Sequence, residues 1–164
     1  MKKIGIWAAF AAGLYVFQSS LFPLLAYHGI SVNLLLLLTV SFAFLQGCRF
    51  GVLMGFCAGL LQDLGTGTFL GCSVVSYMVI GWICGKLSDR VFKEEFFLPI
   101  MASVFATAGH YFILATLMLL LGYRFHLAAN MQDVLLPMLI YQLVFAYPVH
   151  KMSYALDQRL GANK

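Results

Sequence analysis

Long apolar segments separated by short polar stretches make up most of the chain. They cover residues 4–26, 32–46, 50–64, 69–85, 96–122 and 134–154. An apolar helix of about 20 residues crosses the roughly 30 Å hydrocarbon core of a bilayer, so the pattern predicts an all-α bundle of about six transmembrane helices. The segments 32–46 and 50–64 each correspond to roughly 22 Å of helix, which is short for a span. We interpret them as two short spans, with a re-entrant hairpin as the alternative.

Composition and charge place this bundle in a membrane as a single domain over residues 1–164. The chain is 62% hydrophobic and 10% charged, whereas soluble domains carry about 25% charged residues. With the N-terminus inside, nine basic residues become cytoplasmic: Lys2, Lys3, Arg49, Lys86, Arg90, Lys93, Lys151, Arg159 and Lys164. Arg124 alone is then outside, so the positive-inside rule predicts that both termini are cytoplasmic. The net charge of +4 therefore reports orientation and does not indicate a nucleic-acid partner.

A stripe of glycines dominates the segment 50–64. Gly51, Gly55 and Gly59 recur every fourth residue and therefore share one helix face, which lets another helix approach to near backbone contact. The same spacing of small residues recurs at Gly67 and Gly71, Gly81 and Gly85, Ala8 and Ala12, and Ala9 and Gly13. The pattern predicts tight helix packing, either within the bundle or against a partner's transmembrane helix.

Few polar side chains fall within the apolar segments. Asp63 ends the glycine-rich segment, and His110 lies near the middle of the fifth. We interpret Asp63 as a cap for the span beginning near Phe69 or as a packing residue, with a proton-relay acid as the alternative. His110 is interpreted as a neutral, hydrogen-bonded residue, with a proton carrier as the alternative. The uncharged polar residues near span ends or interiors are Gln18, Asn33, Gln46 and Gln142.

No arrangement of residues predicts catalysis, a cofactor or a metal ion. The four histidines are dispersed, and none is three or four residues from another ligand-type side chain. A zinc site needs three or four converging ligands. The chain has no phosphate-binding loop motif and no C-x-x-C pair among its four cysteines. These observations make the case for catalysis weak.

The most distinctive stretches together resemble MreD, the rod shape-determining membrane protein family of bacteria. They are the leucine run Asn33–Leu36, the corner Gly47–Gly51, the segment Gly55–Leu64 and the start of the next span at Phe69–Gly71. The pattern G-x-x-x-G-F-x-x-G-L-x-x-D is met by Gly51, Gly55, Phe56, Gly59, Leu60 and Asp63. A proline that family members usually carry before the leucine run is missing, because Ser31-Val32 precede Asn33.

The resemblance implies a non-enzymatic scaffold in the bacterial cytoplasmic membrane. It implies a fold similar to the substrate-binding subunits of energy-coupling factor transporters, with direct binding to MreC. MreB, RodA and a penicillin-binding transpeptidase would belong to the larger cell-wall elongation complex.

Two other functions are compatible with the sequence. A vitamin-binding transporter subunit needs a polar pocket opening outward, for which the candidates are His28, Tyr123, Arg124, Asn130 and Asp133. In such a subunit, the Ala8 and Ala12 stripe would suit docking to the transporter's coupling subunit. A membrane enzyme or proton-coupled transporter needs Asp63 and His110 to converge.

Overall fold

The computed structural model describes residues 2–25, 32–67, 70–88, 97–122 and 136–161. These residues form six α-helices and, within those ranges, no β-strand. The helices are α1 (Lys2–Leu25), α2 (Leu34–Gln46), α3 (Cys48–Thr66), α4 (Cys72–Ser88), α5 (Phe97–Leu120) and α6 (Leu136–Gly161). The all-α prediction is therefore confirmed for this part of the chain, and each helix overlaps one predicted apolar segment.

The short helix α2 lies at the centre of the bundle. It contacts each of the other five described helices, and every residue from Leu34 to Leu45 is buried. A helix that is apolar on all sides is normally buried in protein or in lipid, and α2 is buried in protein. Its 13 residues correspond to about 20 Å. Since α2 is enclosed by protein, its short length need not match the thickness of a bilayer.

Apolar contacts and hydrogen bonds attach α2 to its neighbours. The ring of Trp7 from α1 packs edge-on against Phe42, with ring centroids 4.5 Å apart. Ala43 lies beside Gly51 of α3, where an added Cβ would approach the alanine Cβ to 2.7 Å. At the end of α2, the hydroxyl of Ser88 in α4 donates a 2.6 Å hydrogen bond to the Phe44 carbonyl.

Four helices extend beyond the segments predicted for them, by two or three residues in α1, α3 and α4 and by seven residues in α6. Helix α3 has 19 residues, or about 28 Å, because it begins directly after Gly47 and continues through Thr66. Helix α6 has 26 residues and runs to Gly161, beyond the predicted end at Tyr154. The apolar segment does end there, but the residues that follow include good helix formers such as Leu156 and Arg159, so the helix continues past the apolar segment.

Judged by hydropathy and length alone, one described helix is a candidate membrane span. Among the described residues, Ile100–Leu120 is long and apolar enough to cross a bilayer, whereas Leu34–Gln46 and Cys72–Ser88 are apolar but shorter. The number of crossings, the re-entrant alternative and the cytoplasmic position of both termini stay predictions.

Candidate functional site: the α3–α4 helix pair and a polar layer

Helices α3 and α4 are in backbone contact along the predicted glycine stripe. A Cβ added at Gly55 would lie 2.5 Å from the Tyr77 carbonyl oxygen, and one added at Gly59 would lie 2.6 Å from the Val74 Cα. At Gly51 the nearest backbone atom would be the Gly81 carbonyl oxygen, at 2.7 Å. Real Cβ contacts essentially never fall below 3.0 Å. Any side chain at these three positions would therefore force the helices apart.

Gly81 and Gly85 of α4 are equally close to the α3 backbone. A Cβ at Gly81 would lie 2.4 Å from the Gly51 carbonyl oxygen, and one at Gly85 would lie 2.4 Å from the Cys48 Cα. Gly51, Gly55 and Gly59 of α3 contact Gly81, Tyr77 and Val74 of α4 in that order. The two helices therefore run antiparallel. The sequence left open whether these motifs hold the bundle together or bind a partner. In the structure they pack two helices of this chain against each other.

Gly67 and Gly71, for which helix packing or a partner interface was predicted, lie between the end of α3 at Thr66 and the start of α4 at Cys72. They therefore do not share a helix face. Their φ angles are +62° and +108°, and no heavy atom lies within 4 Å of a Cβ added at either one. They are needed for left-handed backbone conformations that side chains disfavour. Four-residue spacing places residues on one face only within one helix, so their role at a partner interface stays a prediction.

Asp63 of α3 caps the N-terminus of α4. Its Oδ2 accepts hydrogen bonds from the backbone N–H groups of Gly71, at 2.7 Å, and Val74, at 3.3 Å, while Oδ1 accepts one from Ser73 at 3.1 Å. The first N–H groups of a helix have no partners within the helix, and the helix dipole favours a negative charge there. Gly71 has no side chain that could supply this cap. These three hydrogen bonds have the geometry expected of a helix cap.

A layer of polar side chains joins all six described helices; we call it the polar layer. It contains one residue at or in each helix: Gln18, Asn33, Gln62, Tyr77, His110 and Gln142. All are buried except Gln62, which is half-buried. In a bilayer such groups need partners within the protein, because lipid offers none.

Asn33 is the central residue of this layer. Its Oδ1 accepts hydrogen bonds from the Tyr77 hydroxyl, at 2.6 Å, and from the Leu36 N–H, at 3.1 Å, which caps α2. Gln142 of α6 pairs with the Asn33 backbone, accepting from its N–H at 3.3 Å and donating to its carbonyl at 3.1 Å. Gln18 of α1 accepts from the Leu34 N–H at 2.8 Å. The start of α2 is thereby bound to α1, α4 and α6.

His110 connects α5 to this layer. Its Nδ1 lies 2.9 Å from the Ser76 hydroxyl, and its ring packs edge-on against Tyr77 at 5.1 Å between centroids. Ser76 also lies 3.1 Å from the Ser73 carbonyl oxygen, and the N–H of Ser73 binds Asp63. The Ser73–Val74 peptide group connects the two sites, because its N–H binds Asp63 and its carbonyl oxygen accepts from Ser76. Among the described residues, no direct hydrogen bond joins the side chains of Asp63 and His110, and the proton-relay alternative stays a prediction.

Sequence reasoning missed two residues of this arrangement, Tyr77 and Ser76. Within an apolar segment they look like ordinary packing residues. Spacing could have indicated Tyr77, since Ser73, Tyr77, Gly81 and Gly85 recur every fourth residue and lie on one face of α4. That face is the one against α3.

Other candidate chemistry lies apart from this layer. Among the described residues, no three His, Cys, Asp or Glu side chains come close enough to hold a metal ion. Gln46 donates a hydrogen bond to Asp157 at the opposite end of α2. The residues considered for an outward vitamin pocket, His28, Tyr123, Arg124, Asn130 and Asp133, lie outside the described residues.

A cavity of about 400 Å³ lies between α1, α2 and α3; we call it the α1–α3 groove. Apolar side chains form most of its lining, among them Trp7, Phe42, Phe50, Leu53, Met54 and Leu61, with Gln46 and Asp157 as polar members. A water-soluble vitamin needs several placed polar groups. The groove is therefore not the polar pocket that a vitamin-binding subunit requires.

A family comparison agrees with this architecture over nearly the whole chain. The family model described as rod shape-determining protein MreD matches residues 1–160. The chain belongs to the MreD family. Comparisons with curated proteins and with solved structures gave no match.

Membership explains the motifs from which the resemblance started. MreD proteins are membrane proteins with a role in rod shape determination. In this family member, Gly51, Gly55 and Gly59 form the α3 face against α4, and Asp63 caps α4. Asn33, at the start of the leucine run, caps α2 and binds Tyr77. The motif residues therefore establish contacts between helices, and the expected similarity to energy-coupling factor subunits stays a prediction.

Proposed function

We propose that this MreD-family protein is a non-enzymatic, multi-pass scaffold of the bacterial cytoplasmic membrane that binds MreC directly. In a larger complex with MreB, RodA and a penicillin-binding transpeptidase, it helps to position peptidoglycan synthesis. The family match over residues 1–160 is the observation that carries this proposal.

The use of the polar residues supports a scaffold over a membrane enzyme. Asp63 has three backbone partners, and Asn33 and Gln142 are paired with each other. Catalysis in a membrane needs ionisable groups directed at a cavity. Asp63, Asn33 and Gln142 bind neighbouring helices instead, where they fix helix orientation. A rigid arrangement of this kind suits a protein that positions partners.

A binary binding experiment tests the direct contact. We expect the tagged chain, co-expressed with MreC alone and purified in mild detergent, to retain MreC in a near-stoichiometric complex through gel filtration. A tagged membrane protein of similar size and unrelated family is the control. Recovery of MreC at no more than the control level would contradict direct binding.

A further inference from the structure

The α1–α3 groove is an apolar surface on the side of α3 that faces away from α4. Phe50, Leu53 and Leu60 are 50%, 51% and 38% exposed and line it from α3. Because they are three and seven residues apart, they lie on one face of α3. Helix α3 therefore has two apolar faces, a glycine face that packs against α4 and a face of large side chains that lines the groove beside α1.

The α1 edge of this groove is unusually smooth. Gly5, Ala8 and Ala12 are exposed, and their spacing puts them on one side of α1. Ala8 lines the groove, and no heavy atom lies within 4 Å of a Cβ added at Gly5. Association between transmembrane helices gains from close backbone approach over small residues. Lipid chains adapt to a surface of any shape and gain no such advantage.

An acid marks one end of the groove. Asp157 is half-buried there and accepts a hydrogen bond from Gln46. Among the described residues, it forms no ion pair with Lys, Arg or His. On the orientation predicted from the basic residues, this end is cytoplasmic, and the cytoplasmic ends of transmembrane helices are rich in Lys and Arg. A carboxylate there is complementary to a basic helix end and repels an anionic lipid headgroup.

We propose that the α1–α3 groove binds one transmembrane helix of a partner, whose Lys or Arg at the cytoplasmic end pairs with Asp157. The partner's apolar side chains enter the groove, and its backbone packs over Gly5, Ala8 and Ala12. The inference rests on the proposed function, because MreC supplies the partner used to test it.

The exposed thiol of Cys57, which lines the groove, allows a direct test. The other three cysteines are replaced by alanine, Cys57 is labelled with benzophenone maleimide, and the chain is irradiated in membranes containing MreC. The matched control moves the label to Val75→Cys in a Cys57→Ala background, because Val75 is 48% exposed on the side of α4 away from α3. We expect mass spectrometry to find a cross-link between Cys57 and an apolar helix of MreC, several-fold stronger than from the control position.

A charge reversal tests the ion pair separately. We expect Asp157→Lys to lower capture of MreC about fivefold, the size of one partly exposed ion pair, without changing thermal stability. Replacing the basic residue at the cytoplasmic end of the cross-linked MreC helix by Glu should then restore capture. A general loss of structure would not be rescued in this way.

The remaining outcomes contradict the inference in distinguishable ways. If unlabelled chain captures MreC but Cys57 cross-links to lipid, to a second copy of the chain or to nothing, the groove is not the binding site and the proposed function stands. Equal cross-linking from the control position, or no effect of Asp157→Lys, would likewise overturn the groove as the binding site. If MreC is not captured at all, the proposed function fails and this inference fails with it.

Discussion

Replacing Gly55 by leucine should separate α3 from α4 and abolish the native bundle. A Cβ alone would come within 2.5 Å of the Tyr77 carbonyl oxygen and 2.7 Å of its carbon. Both are backbone atoms, so no side-chain rotation relieves the overlap. Overpacked cores lose about 1–3 kcal/mol, and we expect a loss at or above the upper end of that range. The measurement is the yield of monodisperse protein in detergent, together with its thermal unfolding midpoint.

Gly109→Leu is the matched control for this substitution. Gly109 also lies within a helix, α5, and no heavy atom lies within 4 Å of a Cβ added there. We expect near wild-type yield from this variant. Wild-type yield and stability in Gly55→Leu would show that α3 and α4 are not in backbone contact.

Replacing Asp63 by asparagine should destabilise the protein more than its conservative chemistry suggests. Asparagine has one carbonyl oxygen, so it can satisfy Gly71 and Val74 or else Ser73, but not all three N–H groups. Its amide group would then face a backbone donor at a site that is 2% exposed. An unsatisfied buried donor costs about 1–3 kcal/mol, and losing the charge at the helix N-terminus adds about 0.3–1 kcal/mol. Thermal unfolding in detergent should show a lower midpoint, and a still lower one for Asp63→Ala.

The same substitution at Asp157 serves as the control, because that carboxyl group is half-buried and has one hydrogen-bond partner, Gln46. We expect Asp157→Asn to unfold close to the wild-type midpoint. One outcome for Asp63→Asn would indicate a chemical role for Asp63 instead of a cap. If Asp63→Asn keeps wild-type stability and MreC binding yet fails to support rod shape, the capping account is wrong.

Hydropathy predicted the helices well because burial of apolar segments is encoded locally. Helices α1, α2 and α5 begin and end within about two residues of the predicted segments. The glycine stripe was also recognisable, since Gly51, Gly55 and Gly59 share a face in any helix. Its partner was not, because the spacing of one helix carries no information about which surface lies opposite.

The polar layer shows where sequence reasoning ends. Asn33 and Gln142 were both noticed, but they are 109 positions apart, and only the folded bundle shows that they pair. Tyr77 was overlooked because its ring looks like part of the apolar surface, whereas its hydroxyl binds Asn33. Helix α6 continues past the predicted span end at Tyr154 for a related reason, since hydropathy reports where a helix leaves an apolar environment and not where it unwinds.

We propose that this MreD-family protein functions as a scaffold through its helix contacts. The most direct measurement is a detergent pull-down of the tagged full chain from its native membrane, with mass spectrometry of the proteins and small molecules that it retains. The account predicts MreC together with elongation proteins such as RodA and a penicillin-binding transpeptidase. Recovery of transporter ATPases or a tightly held vitamin, without MreC, would contradict it and favour a transporter subunit.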